Sequence, residues 1–109
     1  MSSEMTNVTG LSGRYATALF DLADQASVLD EVADDLRQIE IMTAESDDLR
    51  RMIRSPVISR FEQSNAVQSL LEKAGASKLT KNFLGVVASN RRLFVLADIV
   101  KDYLTVLAS

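Results

Sequence analysis

Cysteine and histidine are both absent from this 109-residue sequence, and proline occurs once. Without cysteine there is no disulfide framework and no thiolate chemistry. Without histidine the commonest general base and the commonest metal ligand are missing. One proline and four glycines leave little material for turns. Strict two-residue alternation is also absent, so the pattern predicts an all-α chain with short connections. No apolar run approaches the ~20 residues of a membrane span, which predicts no direct insertion into a bilayer. Residues 1–12 carry one acid and no base, unlike the basic start of a signal peptide or the arginine-rich start of a transit peptide. A cytoplasmic bacterial protein fits best. The net charge of −3 gives no electrostatic footprint for nucleic acid.

What is present is ordinary globular material, 47% hydrophobic and 25% charged, in a length that suits one domain with one core. The most apolar helix-like stretch is Leu79–Leu93, where Leu79, Phe83, Leu84, Val86, Val87 and Ala88 cover well over half of a helical wheel. A helix apolar on nearly every side is buried on nearly every side, so this one is expected at the centre of a bundle. If one flank stays open, that flank is a groove awaiting a partner. Gly85 inside it costs about 1 kcal/mol against alanine and is expected to mark a close helix crossing, with the guest helix as one candidate.

In chain order, residues 1–10 are polar and unpatterned and are expected to form a flexible tail, leaving 11–109 as one domain. A first helix starts near Ser12 as N-cap and runs to about Ala26. Its apolar arc spans roughly 200°, about twice what one core face needs, and the surplus edge is Tyr15, Ala18 and Leu22. Two packed neighbours would account for that width. A foreign helix approaching over the small Ala18 is the sharper account. Ser27 and Asp30 have the spacing of a capping box for helix two, whose acids Asp30, Glu31, Asp34 and Asp35 suit the positive end of the helix dipole. They do not match a calcium loop, which needs a glycine turn between ligands. Ser46 caps a short third helix, with Arg50, Arg51 and Arg54 facing solvent or pairing with the acids of helix two. Ser59 and Glu62 form a second capping box for helix four, with Phe61, Val67, Leu70, Leu71 and Ala74 inward and Gly75 as its stop. Ser77 opens helix five. Asn90 ends it in left-handed geometry. Arg91 and Arg92 are expected on acids or carbonyls of another element. Helix six carries Leu93, Leu96, Ala97, Val100, Tyr103, Leu104 and Leu107, and reaches Ser109 without a cap, which points to a longer chain.

No active site emerges from these residues. Serine–lysine nucleophile pairs have no arrangement that suggests one, the carboxylates sit at helix starts where capping explains them, and no glycine-rich phosphate loop occurs. No catalytic residue, metal or cofactor is implied. From the residues alone the chain is a helical interaction module. A helical adaptor that binds another amphipathic helix, or that self-associates, stays open at this point.

The segment Arg14-Tyr15-Ala16-Thr17-Ala18-Leu19-Phe20 resembles the RYA-x-ALF opening of the delta subunits of bacterial F-type ATP synthase, relatives of the mitochondrial oligomycin-sensitivity-conferring protein. Ser55-Pro56, Asn82-Phe83-Leu84 and Asn90-Arg91-Arg92-Leu93 are similar to that family in order and spacing. The likeness runs from about residue 11 to residue 107. It implies a compact six-helix bundle with a non-catalytic, structural role in the peripheral stalk, at the cytoplasmic face of the inner membrane. It also implies a partner, the N-terminal amphipathic helix of one alpha subunit, in a groove between helices one and five. Tyr15, Ala18 and Val86 match the groove-lining positions of the family. Leu22, Leu79, Phe83 and Asn90 complete the expected partner-binding set. A C-terminal domain beyond this chain would join the b-type stalk subunits, and the isolated domain is expected to be a monomer.

Overall fold

A computed structural model describes residues 10–109. Among these residues the chain forms six α-helices and one short 3-10 turn, with no strand: α1 (Gly10–Gln25), α2 (Leu29–Glu45), α3 (Asp47–Arg54), α4 (Arg60–Lys73), α5 (Lys78–Ser89), the turn (Leu93–Val95) and α6 (Leu96–Ala108). This is the expected all-α, six-helix architecture with short links. The expected tail falls outside the described residues except for Gly10, which opens α1.

Several helix ends differ from the sequence expectation, each for a local reason. Ser12 is not an N-cap. It lies in the first turn of α1, where its hydroxyl donates to Asp102 Oδ2 at 2.7 Å. Ser27 is not the cap of α2 either. Its φ of 59° is left-handed, and it closes α1 through Ser27 N–H to Asp24 O at 3.1 Å and Val28 N–H to Ala23 O at 2.8 Å. These paired bonds are a Schellman stop. One residue cannot hold both the extended backbone of a cap and the left-handed backbone of a stop, so α2 begins without a side-chain cap. At the end of α5 the left-handed residue is Arg91, with φ 59°, and not Asn90. The Arg91 guanidinium donates to Ile58 O at 2.6 Å and Pro56 O at 3.2 Å, and this anchoring supports a backbone that a non-glycine residue adopts at a cost. The expectation of carbonyl partners for Arg91 is thereby met.

Two arginines of α3 pair with acids of α3 itself, Arg50 with Asp47 and Arg51 with Asp48, and not with those of α2, while Arg54 is exposed as expected. Arg50 also donates to Thr43 O at 2.6 Å and Ala44 O at 2.7 Å, satisfying carbonyls that the end of α2 leaves open. In α4 the capping box of Ser59 and Glu62 is complete. Phe61, expected inward, is 72% exposed. The inner seat belongs to Gln63, about 200° further round the helix, whose amide donates to Met52 O at 3.0 Å and Ser55 O at 3.2 Å. A polar residue on the buried arc hides the register from a hydrophobic wheel.

The centre of the bundle is α6 and not α5. Leu96, Ile99, Val100 and Tyr103 are buried along α6, which packs on α1 and α2. Within its expected stripe Ala97 is exposed, while Ile99, outside that stripe, is buried. Helix α5 buries Thr80, Leu84, Val87 and Ala88 but leaves Leu79 and Phe83 half-buried and Val86 exposed. Its backbone lies mainly against α4 and more briefly against α2, so one flank has no helix covering it.

Tyr103 has no exposed surface. Its hydroxyl donates to Leu29 O at 2.8 Å, and its ring meets Phe20 with centroids 5.8 Å apart. Burial, and secondarily the charge of Asp30, pushes its pKa from 10.0 up to about 12. The folded state thus prefers the neutral phenol. Its contribution is fully present below pH 10 and is lost as the pH rises from 10 towards about 12. Denaturant titrations across that window should show stability falling with pH, with a shallower fall in Tyr103→Phe.

The α4–α5 crossing explains Gly85. A Cβ there would meet Gln68 Nε2 at 3.2 Å, and that amide donates to Lys81 O at 2.9 Å. Lys81 also pairs with Glu72, and this hydrogen bond holds the Glu72 carboxyl below its usual range. The close approach expected at Gly85 is therefore with α4. Gly85→Ala is expected to gain less than the ~1 kcal/mol of helix propensity, because the methyl group displaces the Gln68 amide. In a Gln68→Ala background the same change should return most of that gain, measured by urea unfolding.

Candidate functional site: an apolar face on α1 and α5

Among the described residues no cluster of three metal-ligating side chains occurs, and no helix is long and apolar enough to cross a membrane. What stands out is an uncovered apolar face.

On α1, Ala16, Leu19 and Ala23 are fully buried, and they define the core side. Tyr15, Ala18 and Leu22 lie within an arc of about 60° beside it. Tyr15 is half-buried, Ala18 is exposed and Leu22 is 45% exposed. Two packed neighbours, the simpler account of the wide arc, therefore do not cover Ala18 and Leu22. On α5, Leu79, Phe83, Val86 and the terminal Asn90 also fall within about 60° of one another. Leu79 and Phe83 are half-buried, Asn90 is exposed and Val86 is 54% exposed.

The two helices are not packed backbone to backbone along their lengths. Side chains bridge them. The rings of Tyr15 and Phe83 meet edge to face, centroids 6.1 Å apart and planes at 88°, the arrangement that aromatic quadrupoles favour. Asn90 Nδ2 donates to the Tyr15 hydroxyl at 3.2 Å. Three of the seven expected residues, Tyr15, Phe83 and Asn90, are thus in direct contact. Ala18, Leu22, Leu79 and Val86 lie on the same two flanks. Such a face is suited to binding an apolar surface by burial, with Tyr15 and Asn90 as polar handles, and carries no group arranged for bond-making chemistry.

A second concavity was not anticipated. A cavity of about 240 Å³ lies between α2, α3 and the start of α6, lined by the buried Ile39, Ile53, Leu93 and Leu96 and by the exposed Phe94 and Arg54. The 3-10 turn Leu93–Val95 places Phe94 at the surface beside this cavity.

Comparison with known proteins places the chain in a family. The family described as ATP synthase delta (OSCP) subunit matches residues 11–109. The chain belongs to the ATP synthase delta (OSCP) family. An ATP synthase subunit delta from Parvibaculum lavamentivorans is 54% identical over 101 residues, covering 93% of this chain and 52% of the relative. The subunit delta of Rhodospirillum rubrum is 48% identical over 109 residues, covering 100% of this chain and 59% of the relative. In a cryo-EM structure of the Polytomella F-ATP synthase, focused on the F1 head and rotor, one chain is similar with a TM-score of 0.82 and 27% identity, over 92% of this chain and 88% of that one. This delta-family chain therefore spans little more than half the length of the curated relatives named above.

Proposed function

We propose that this chain is the helical head-binding part of a non-catalytic stator subunit of an F-type ATP synthase. Its α1–α5 face receives the amphipathic N-terminal helix of an alpha subunit. The observation that carries this reading is the pair of uncovered apolar flanks, bridged by Tyr15 and Phe83, in a chain of the delta family. The part of the relatives that this chain does not span would join the b-type stalk subunits. The assembly would then hold the catalytic head against the turning rotor, at the cytoplasmic face of the bacterial inner membrane, with no segment of this chain inserted in the bilayer.

The physics suits that task. An amphipathic helix on an apolar face is a recurring mode of recognition, read through anchors at helical spacing. Each buried apolar Å² is worth about 25 cal/mol, set against roughly 4–15 kcal/mol for lost freedom on association. Half-burial of Phe83 and Tyr15 before binding means that little side-chain ordering remains to be done there. A stator contact has to persist through each rotation step, so slow dissociation matters more than fast association.

The test is a titration of the chain with a peptide of about 22 residues from the alpha-subunit N-terminus of the same enzyme, some 33 Å of helix at about 1.5 Å per residue, followed by amide NMR. Shifts clustering at Tyr15, Ala18, Leu22, Leu79, Phe83, Val86 and Asn90 are expected, from a chain that is monomeric by sedimentation. No shift at high micromolar peptide would overturn the assignment. A concentration-dependent dimer using the same face would transfer it to self-association.

A further inference from the structure

We infer that Asp35 is the positioning residue of the α1–α5 face: it fixes where α5 stands relative to α1, and so sets the geometry that a guest helix meets. The inference rests on the docking role proposed above for what positioning means, and on the structure alone for the tether itself.

Helix α5 opens at Ser77, whose hydroxyl caps the N–H of Thr80. In a capping box the third helical residue is an acid or amide that reaches back to the N–H of the cap. Here that residue is Thr80, which cannot do so. The acid comes from another helix. Asp35 Oδ2, on α2, accepts from Ser77 N–H at 3.0 Å, from Ser77 Oγ at 2.9 Å and from Thr80 Oγ1 at 2.7 Å. The box is completed across the fold, between residues 42 and 45 positions apart. Thr80 is fully buried, so its hydroxyl has strong reason to keep an acceptor.

The location gives this cluster its leverage. Backbone packing divides the bundle into a body of α1, α2 and α6 and a hairpin of α4 and α5. Most hydrogen bonds made along α5 by side chains stay within the hairpin: Gln68 to Lys81 O, Lys81 to Glu72 and Arg60 to Ser89 O. Among the described residues, side-chain hydrogen bonds tie α5 and its caps to the body at two points. One is Asp35 at its start, and the other is Asn90 on Tyr15 at its end. The face lies along the seam between body and hairpin. Asp35 is one of the acids expected to serve the dipole of α2. Asp30 and Glu31 occupy that first turn, whereas Asp35 is spent on α5.

The experiment compares Asp35→Ala, Asp35→Asn and, as a control of stability alone, Ser59→Ala on α4. Free-chain NMR reads the shifts of Leu79, Phe83 and Val86 and of the Asn90 side-chain amide that donates to the Tyr15 hydroxyl. Affinity for the alpha-subunit peptide is read at a temperature where every variant is folded. Asp35→Ala is expected to move those shifts and weaken the peptide about 3- to 30-fold, the range in which residues outside a contact modulate binding. Asp35→Asn, which keeps an acceptor oxygen, should recover most of the affinity. Ser59→Ala should lower the melting temperature and leave shifts and affinity unchanged. If Asp35→Ala behaves like Ser59→Ala, the inference is overturned. If Asp35→Ala does not fold, Thr80→Val removes one bond of the three, and unmoved shifts at Leu79 and Phe83 overturn the inference equally. If the wild-type chain binds no peptide, the docking role fails by itself, and the free-chain shifts alone decide whether Asp35 places α5.

Discussion

Ala18→Glu is expected to weaken binding of the alpha-subunit peptide at least about 100-fold, close to 2.8 kcal/mol at 1.4 kcal/mol per decade, while the melting temperature moves by no more than about 4 °C. The two halves of this prediction come from one observation. Ala18 is exposed on the free chain, and its neighbours on the core side, Ala16 and Leu19, are fully buried. A carboxylate at position 18 therefore remains in water while α1 folds, and the loss of helix propensity is a few tenths of a kcal/mol. Under a guest helix the same carboxylate has to shed its hydration against apolar side chains, an unpaired burial that costs several kcal/mol. It also fills the space that a small residue leaves for a close helix approach. Calorimetric titration and a thermal scan on the same sample check both halves. An Ala18→Glu chain that unfolds would place Ala18 in the core, and one that binds normally would move the guest to another face.

The largest effect on stability is expected at Tyr103. Tyr103→Ala should cost about 3–5 kcal/mol, the range for removing a large buried aromatic side chain, and should lower the melting temperature by more than about 12 °C at roughly 4 °C per kcal/mol. Tyr103 lies at the meeting of α6 with α1 and α2: it is fully buried, its ring is against Phe20 and its hydroxyl is on Leu29 O. Tyr103→Phe removes only the hydroxyl and should cost about 1–2 kcal/mol. Urea unfolding of the two variants separates the packing contribution from that of the hydrogen bond. A loss below about 1 kcal/mol for Tyr103→Ala, within the scatter of surface substitutions, would mean that α6 is not the centre of the core.

The helices themselves were legible from periodicity and punctuation, and the places where the sequence misled share a cause. Phe61 is displaced from its expected inward place because a wheel counts apolar residues, whereas the buried seat in α4 goes to the Gln63 amide with two carbonyl acceptors waiting. Ser27 closes α1 instead of capping α2, and the left-handed residue after α5 is Arg91 although Asn90 does end that helix, because the hydrogen bonds of a helix stop override side-chain preference at a single residue. The candidate face was half legible. Surplus width in the apolar arc of α1 singles out Tyr15, Ala18 and Leu22 without any fold, whereas on α5 the wheel shows only an arc too wide for one face, and Leu79, Phe83, Val86 and Asn90 are marked out by the family resemblance. Which two helices face each other is a tertiary fact that no wheel contains, and it came from the family resemblance. Asp35 was illegible altogether, since nothing near it in the chain distinguishes it from the acids beside it.

The first and last helices of the described chain are each other's principal neighbours, and Ser12 reaches Asp102 across 90 positions. This arrangement sets a schedule for synthesis. Helix α1 leaves the ribosome long before α6 exists, and at about 5–20 residues per second it waits on the order of 5–20 s for its partner. Throughout that interval Leu19, Ala16 and the outer edge bearing Leu22 stand open together. The wide apolar stripe of α1 is thus presented well before α6 covers it, while the α4–α5 hairpin, built from neighbouring segments, can close on its own during the wait.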